Sequence, residues 1–118
     1  MNEIGLLDLP NVLVEGADGL VCAVCFRPAT NRHHVVLKGA GGVSNEMDGR
    51  IPLVSLCGMG NASGCHGLAH QRRLHFDWRD GGWFYLETAR PVKRETALDM
   101  PGWTMLGGWV LTERRWFE

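Results

Sequence analysis

Four cysteines lie in two pairs, and their spacing is typical of a zinc site. Cys22 and Cys25 are separated by two residues, whereas Cys57 and Cys65 are separated by seven. Two thiolates on one tight turn converge at angles that suit tetrahedral Zn²⁺, and the glycine-rich segment 58–64 can return Cys65 beside Cys57. The N-terminus has no signal-peptide pattern, so we expect the cytoplasm, where thiols bind metal rather than form disulfides. The pattern predicts one structural zinc; the alternative is a set of reduced, partly buried thiols.

Histidines are interleaved with these cysteines. His66 and His70 are four positions apart, so on a helix they lie on one face and can bind one ion. His33 and His34 are adjacent in a β-branched segment, and neighbouring strand residues point to opposite sides. One of the two can therefore bind a metal while the other faces a substrate. In the alternative, each histidine is an ordinary exposed or hydrogen-bonded residue, which suits an isolated histidine better than this set.

The elements that position these residues follow the order strand, loop, strand, helix. The β-branched segment 33–38 and the apolar segment 53–57 predict two strands, with a glycine-rich loop over 39–49 between them. Residues 65–74 predict a short helix. The histidines and the second cysteine pair therefore fall on one compact unit.

The flanking segments predict further β-structure. Two short strands, Val12–Val14 and Leu20–Val21, are expected on either side of the turn at 16–19. A hairpin about residues 80–82 is expected to extend the small sheet and to enlarge its core. Residues 96–102 predict irregular structure or one helical turn, and 107–113 predict a last strand. Tryptophans in this region are expected to pack in the core or form a self-association surface rather than stack on bases; they are Trp83, Trp103, Trp109 and Trp116.

The charge is unevenly distributed along the chain. The 118 residues have a net charge of −1, which alone argues against a nucleic-acid binder. Residues 22–79, however, carry seven Lys or Arg against three Asp or Glu, whereas residues 1–21 carry four acidic residues and no base. The segment with the cysteines and histidines is therefore also the candidate anion-binding region. At 45% hydrophobic residues, with no long apolar run, the composition predicts a single domain over 1–118 and no membrane association.

Taken together, the middle of the chain resembles the HNH endonucleases of the ββα-metal, or His-Me finger, type. The resemblance covers about residues 20–75 and rests on four segments: the Cys22-x2-Cys25 pair, HHVVLKGAGG at 33–42, LVSLC at 53–57 and CHGLAH at 65–70. It implies an α+β fold, in which a structural zinc staples a small ββα-metal core. An added C-terminal β-hairpin would lie in a β-rich extension over 76–118.

The resemblance also implies roles for individual residues. His34 would be the general base for hydrolysis of DNA phosphodiester bonds, and a catalytic divalent ion (Mg²⁺, Mn²⁺, Ni²⁺, Co²⁺ or Zn²⁺) would be bound by His33, His66 and His70. The four cysteines match the zinc-bearing subset of the family. Small proteins of this type occur in phages and prophages, so the implied partners are double-stranded DNA and a terminase or another phage protein.

Basic residues near the motif are candidate phosphate contacts. They are Arg32, Lys38, Arg72 and Arg73. Such contacts position DNA without reading its sequence. The alternative is an ordinary solvated face.

One position departs from the family pattern. Pro52 stands where the middle asparagine usually lies, and Asn45 or Asn61 would have to brace the loop from another place. The departure favours an alternative function, a catalytically inactive zinc-binding module that binds DNA or a protein partner. A redox or zinc-storage protein is a third hypothesis, which leaves the histidines unexplained.

Overall fold

A computed structural model of the chain describes residues 9–35, 51–59, 63–106 and 111–112. These residues form an α+β fold, as the sequence predicts, with nine strands and two helices. The strands are β1 Asn11–Val12, β2 Val14–Gly16, β3 Gly19–Val21, β4 Asn31–His34, β5 Leu53–Leu56, β6 Leu74–Arg79, β7 Gly82–Glu87, β8 Thr104–Met105 and β9 Leu111–Thr112. The helices are α1 Gly64–His70 and α2 Arg94–Leu98.

The main sheet has the strand order β4-β5-β1-β9. β4 and β5 are antiparallel, with His33 opposite Val54 and His34 opposite Leu53. The second strand lies where the sequence predicts it. The first begins two residues earlier than predicted, at Asn31, and the predicted strand residues 36–38 lie outside the described part of the chain.

The N-terminal segment contributes to two sheets rather than one. β2 and β3 form the predicted hairpin, with Val14 opposite Val21. The predicted strand over Val12–Val14 is wrong as a single element, because β1 leaves this hairpin and pairs in parallel with β5, where Val12 lies opposite Val54. Val12 is fully buried at that position. Burial against β5, a contact between residues distant in sequence, therefore outweighs continuation of the local hairpin.

The helix α1 is shorter than predicted, because it ends at His70 rather than near residue 74. Arg72 adopts a left-handed conformation with φ 62°, and its N–H donates to the Ala69 carbonyl while the Arg73 N–H donates to the Leu68 carbonyl. This pair of hydrogen bonds is the Schellman ending, which usually has glycine where this chain has Arg72. The ending turns the chain so that β6 can begin at Leu74.

The predicted hairpin is confirmed as β6 and β7, joined by a two-residue turn at Asp80 and Gly81. Both turn residues have positive φ, 51° and 80°, as a type I′ turn requires. The prediction that this hairpin extends the small sheet is wrong, because with β8 it forms a separate three-stranded sheet. The turn fixes the pairing of β6 with β7, whereas β8 pairs with the other edge of β7.

The helix α2 lies against the β6-β7-β8 sheet through charged side chains. Arg94 donates to the Phe76 carbonyl at 2.6 Å and lies 3.5 Å from the Asp77 carboxylate. Arg79 pairs with the same carboxylate at 2.9 Å, and its guanidinium lies 4.3 Å from the ring centre of Trp103. A stacked, paired guanidinium of this kind anchors structure, so Arg79 belongs to the packing of the extension.

One cluster of buried side chains joins the three sheets and α1. Its largest fully buried member is Trp83, whose indole N–H donates to the Pro10 carbonyl at 2.9 Å. Trp83 is thus a core residue, as predicted, whereas Trp103 is half-buried; the predictions for Trp109 and Trp116 fall outside the described residues. In the described part of the chain, no helix is long and apolar enough to cross a membrane.

Candidate metal centres

The four cysteines converge on one point. Their sulfur atoms all lie within 4.8 Å of one another, and we call this group the four-Cys cluster; it consists of Cys22, Cys25, Cys57 and Cys65. The Sγ atoms of Cys25 and Cys57 are 3.5 Å apart. Four thiolates on one tetrahedral Zn²⁺ are separated by about 3.8 Å, given Zn–S bonds of about 2.3 Å. The donor set therefore fits a metal such as zinc, and the sequence prediction of the cluster is confirmed.

Tight backbone turns bring the two cysteine pairs together. In the first, the Phe26 N–H donates to the Cys22 carbonyl at 2.9 Å and Phe26 has a positive φ of 67°. In the second, Gly58 and Gly64 lie against each other with φ of 112° and 64°. A Cβ on Gly64 would lie 2.8 Å from the Cys57 carbonyl oxygen, which is closer than real Cβ atoms approach. Glycine is therefore required where the wide gap between the second cysteines closes.

The cysteine thiols shift one another's pKa values in the absence of a metal. A hydrogen bond from Cys65 lowers the pKa of the Cys22 thiol to about 4, and the same contact is the largest cause that raises the pKa of Cys65. Burial raises the pKa of Cys25. One thiolate thus forms readily in this cluster, while Cys25 and Cys65 need a positive ion beside them to lose their protons.

Three histidines form a second cluster, which we call the three-His cluster: His33, His66 and His70. Their ligand atoms also lie within 4.8 Å of one another, and the Nε2 atoms of His66 and His70 are 3.1 Å apart. Two imidazole nitrogens on one tetrahedral ion lie about 3.3 Å apart, given metal–nitrogen bonds of about 2.0–2.1 Å. The structure brings together the three residues that the sequence analysis selected as ligands, at a spacing that one ion fits.

The environment keeps two of these imidazoles neutral. His33 is 8% exposed, and its burial, with the neighbouring charges of His66, His70 and His34, lowers its pKa to about 3. Burial, followed by the charge of His66, also lowers the pKa of His70. A neutral imidazole has a free lone pair for a metal, so both residues are prepared as ligands at neutral pH.

The two clusters share the helix α1. Cys65 and His66 are consecutive, and the His66 N–H donates to the Cys57 carbonyl at 2.9 Å. The helix has only seven residues and no side-chain cap, so it would be marginal in isolation. The four-Cys cluster therefore fixes the start of the helix that carries two of the three histidines.

The predicted phosphate contacts fall in different environments. Arg32 on β4 and Arg72 after α1 are exposed. Arg73 is half-buried and donates to the Thr88 carbonyl at 3.1 Å, so it also joins the end of α1 to the residue that follows β7. Lys38 lies outside the described residues.

Sequence reasoning missed one buried polar residue beside the site. Asn11 accepts a hydrogen bond at its Oδ1 from the Leu53 N–H at 2.8 Å, next to Pro52. An isolated asparagine in the N-terminal segment gives no signal of this contact, which exists only because β1 pairs with β5. The asparagines considered from the sequence, Asn45 and Asn61, lie outside the described residues.

Comparison of the chain with protein-family models, curated proteins and solved structures finds no match. Two observations within this chain therefore indicate its function. These are the donor sets of the two clusters and the sequence motif that places them on β4, β5 and α1.

Proposed function

We propose that the protein is a metal-dependent DNA endonuclease of the HNH type. The observation that carries the proposal is the three-His cluster, in which one histidine from a strand and two from the following helix offer ligand atoms within 4.8 Å. His34 lies next to His33 on the same strand, so a fourth imidazole lies one residue from the cluster. The antiparallel pair β4–β5 followed by α1 supports a ββα-metal core, and the four-Cys cluster supports its zinc staple.

The proposed chemistry divides the work between His34 and a divalent ion. When bound to the three-His cluster, the ion would supply a Lewis acid that offsets charge on the scissile phosphate and on the leaving 3′-oxygen. Three protein ligands leave coordination positions for these groups, as catalytic sites do. His34, as general base, accepts a proton from the attacking water as its oxygen bonds to phosphorus. The bond between phosphorus and the 3′-oxygen breaks, and the departing oxygen takes a proton from solvent, which leaves 5′-phosphate and 3′-hydroxyl ends.

The distribution of charge supports weak DNA binding through phosphate contacts near the site. Arg32 precedes His33 on β4, and Arg72 follows His70 after α1, so exposed guanidinium groups flank the cluster in sequence on both elements. The net charge of the whole chain is −1, which predicts few phosphate contacts elsewhere and a shallow dependence of binding on salt. A terminase or another phage protein, the partner that the resemblance implies, would supply further affinity.

Nicking of supercoiled plasmid tests the proposal. Zinc-loaded protein is incubated with EDTA or with added Mg²⁺, Mn²⁺, Ni²⁺ or Co²⁺, alongside His34→Ala and His75→Gln. We expect metal-dependent nicking that His34→Ala lowers by about 10²-fold or more, the effect of losing a general base. His75 is buried, but its ring contacts the Arg72 carbonyl at 2.9 Å rather than the three-His cluster, so His75→Gln should cut normally. Wild-type protein that is inert with every metal, or His34→Ala that cuts at the wild-type rate, would contradict the proposal.

A second candidate function is a catalytically inactive zinc module that binds DNA or a protein. The observation that favours it is Pro52, which is fully buried where the family usually has its asparagine. Under this alternative the four-Cys cluster binds zinc, whereas the three-His cluster binds no further ion. Metal analysis after dialysis against Mn²⁺ or Co²⁺ separates the two functions, because the endonuclease should take up a second equivalent per chain.

A further inference from the structure

Asn11 is a buried polar side chain in the main sheet. Only 1% of its surface is exposed. A buried amide is costly unless it is hydrogen-bonded, so its partner indicates what it holds in place. Its Oδ1 accepts the Leu53 N–H at 2.8 Å.

The bonded N–H belongs to the residue directly opposite His34. Leu53 is the first residue of β5, and it pairs with His34 on β4. Pro52, the residue before it, has no N–H to donate, and its carbonyl accepts the Val35 N–H at 3.0 Å. The Leu53 N–H is therefore the first donor of β5, and the Asn11 side chain fixes it on the side that faces β1.

Asn11 is itself held by the core. The carbonyl of the preceding residue, Pro10, accepts the indole N–H of Trp83 at 2.9 Å, and Trp83 is fully buried. On its other side, Asn11 pairs with Thr112 of β9. The amide oxygen is thus presented from a rigid part of the molecule, not from a loop.

We propose that Asn11 is a positioning residue that acts through Leu53 to set the location of His34. The inference rests on the proposed function, in which His34 is the general base. His33 lies one residue before His34 on β4, opposite Val54, which also pairs with Val12 of β1 through the backbone. Loss of the Asn11 side chain therefore displaces His34 while the histidines that bind the ion stay in place.

Three variants test this role by kinetics: Asn11→Ala, Asn11→Asp and the control Ser55→Ala. Ser55 is fully buried on the same strand and donates to the Val21 carbonyl at 2.7 Å, but it lies opposite Arg32 rather than His34. In plasmid nicking, Asn11→Ala should lower kcat about tenfold or more, since small misplacements of a reacting group are costly. KM and the affinity for Mn²⁺ should stay within twofold. Asn11→Asp, which keeps the accepting oxygen, should recover most of kcat, and Ser55→Ala should keep the wild-type value per folded molecule.

The ring ¹H–¹³C signals of His34 provide a readout that is independent of cleavage. In zinc-loaded protein without another divalent ion, Asn11→Ala should shift these signals, whereas Asn11→Asp and Ser55→Ala should leave them near the wild-type positions. If Asn11→Ala does not fold, Asn11→Ser should show the same effect at smaller size. Unchanged His34 signals in Asn11→Ala and Asn11→Ser, or a loss of kcat in Asn11→Ala equal to that in Ser55→Ala, would overturn the proposal. If the wild-type protein cuts no DNA, the proposed function fails, while the ring signals still decide whether Asn11 positions His34.

Discussion

Replacing His33 by glutamine is expected to reduce the free energy of unfolding that the protein loses in mild acid. Burial, together with the charges of His66, His70 and His34, lowers the pKa of His33 from 6.5 to about 3 in the folded protein. The unfolded chain therefore takes up this proton first as the pH falls. Since the folded pKa is the lower one, the stability is fully present above pH 6.5 and is lost progressively as the pH falls from there toward 3.

The size of the effect follows from the two pKa values. Between pH 7 and pH 5.5, the linkage relation gives a loss of about 1.3 kcal/mol in the free energy of unfolding from His33 alone. Glutamine gains no proton in this range. The free energy of unfolding of His33→Gln should therefore fall by that much less than the free energy of unfolding of the wild type. For a domain whose total stability is about 5–15 kcal/mol, a difference of this size is readily measured.

Urea unfolding at the two pH values is the assay, with zinc supplied at one equivalent per chain. The four-Cys cluster is common to all variants, so its contribution cancels in the comparison. Ser55→Ala is the control, because it is equally buried and has no titrating group; its pH dependence should match that of the wild type. A wild-type protein and a His33→Gln variant that lose the same free energy between pH 7 and pH 5.5 would refute the reasoning.

Three further predictions concern the metal and the packing. Cys57→Ser should lose the bound zinc and most of the folded structure, because structural zinc contributes about 10–16 kcal/mol of apparent binding energy; a folded, zinc-free variant by metal analysis and circular dichroism would contradict this. Gly64→Ala should weaken zinc retention against a chelator, because its Cβ would meet the Cys57 carbonyl. Gly81→Ala is the control: Gly81 also has a positive φ, but no atom lies within 4 Å of its Cβ position. This control should lower the free energy of unfolding by only about 1 kcal/mol and should retain zinc. Trp83→Phe should lower the free energy of unfolding by roughly 1–3 kcal/mol, because the Pro10 carbonyl loses its indole partner; an unchanged urea midpoint would show that the bond is not needed.

Local spacing predicts the chemistry-bearing part of this chain well. The pairs Cys22–Cys25 and His66–His70 lie within one turn of the chain or of a helix, so their convergence follows from short-range geometry. Placing His33 beside the helix needs only the strand–strand–helix order that β-branched and apolar runs predict. The hairpin of β6 and β7 follows from Asp80-Gly81, a turn pair with a strong preference for type I′ geometry.

Contacts between distant segments could not be predicted in the same way. The parallel pairing of β1 with β5 joins residues about forty positions apart, and a two-residue strand has no periodicity to reveal it. The burial of Asn11 follows from that pairing and was missed for the same reason. The end of α1 was misplaced because Arg72 takes a left-handed conformation that is usually left to glycine, so the local stop signal was absent.

A titration of zinc-loaded protein with Co²⁺, in which visible absorption and plasmid nicking are followed together, tests the central claim most directly. Zinc supplied in advance should occupy the four-Cys cluster, so Co²⁺ bound at the three-His cluster should give a spectrum without thiolate charge transfer. We predict one equivalent per chain, a nicking rate that rises in proportion to that absorption, and loss of both in His70→Ala. A nicking rate that reaches its maximum while the Co²⁺ absorption shows the three-His cluster empty would contradict the account. A His70→Ala variant that binds no Co²⁺ yet cuts DNA at the wild-type rate would contradict it as well.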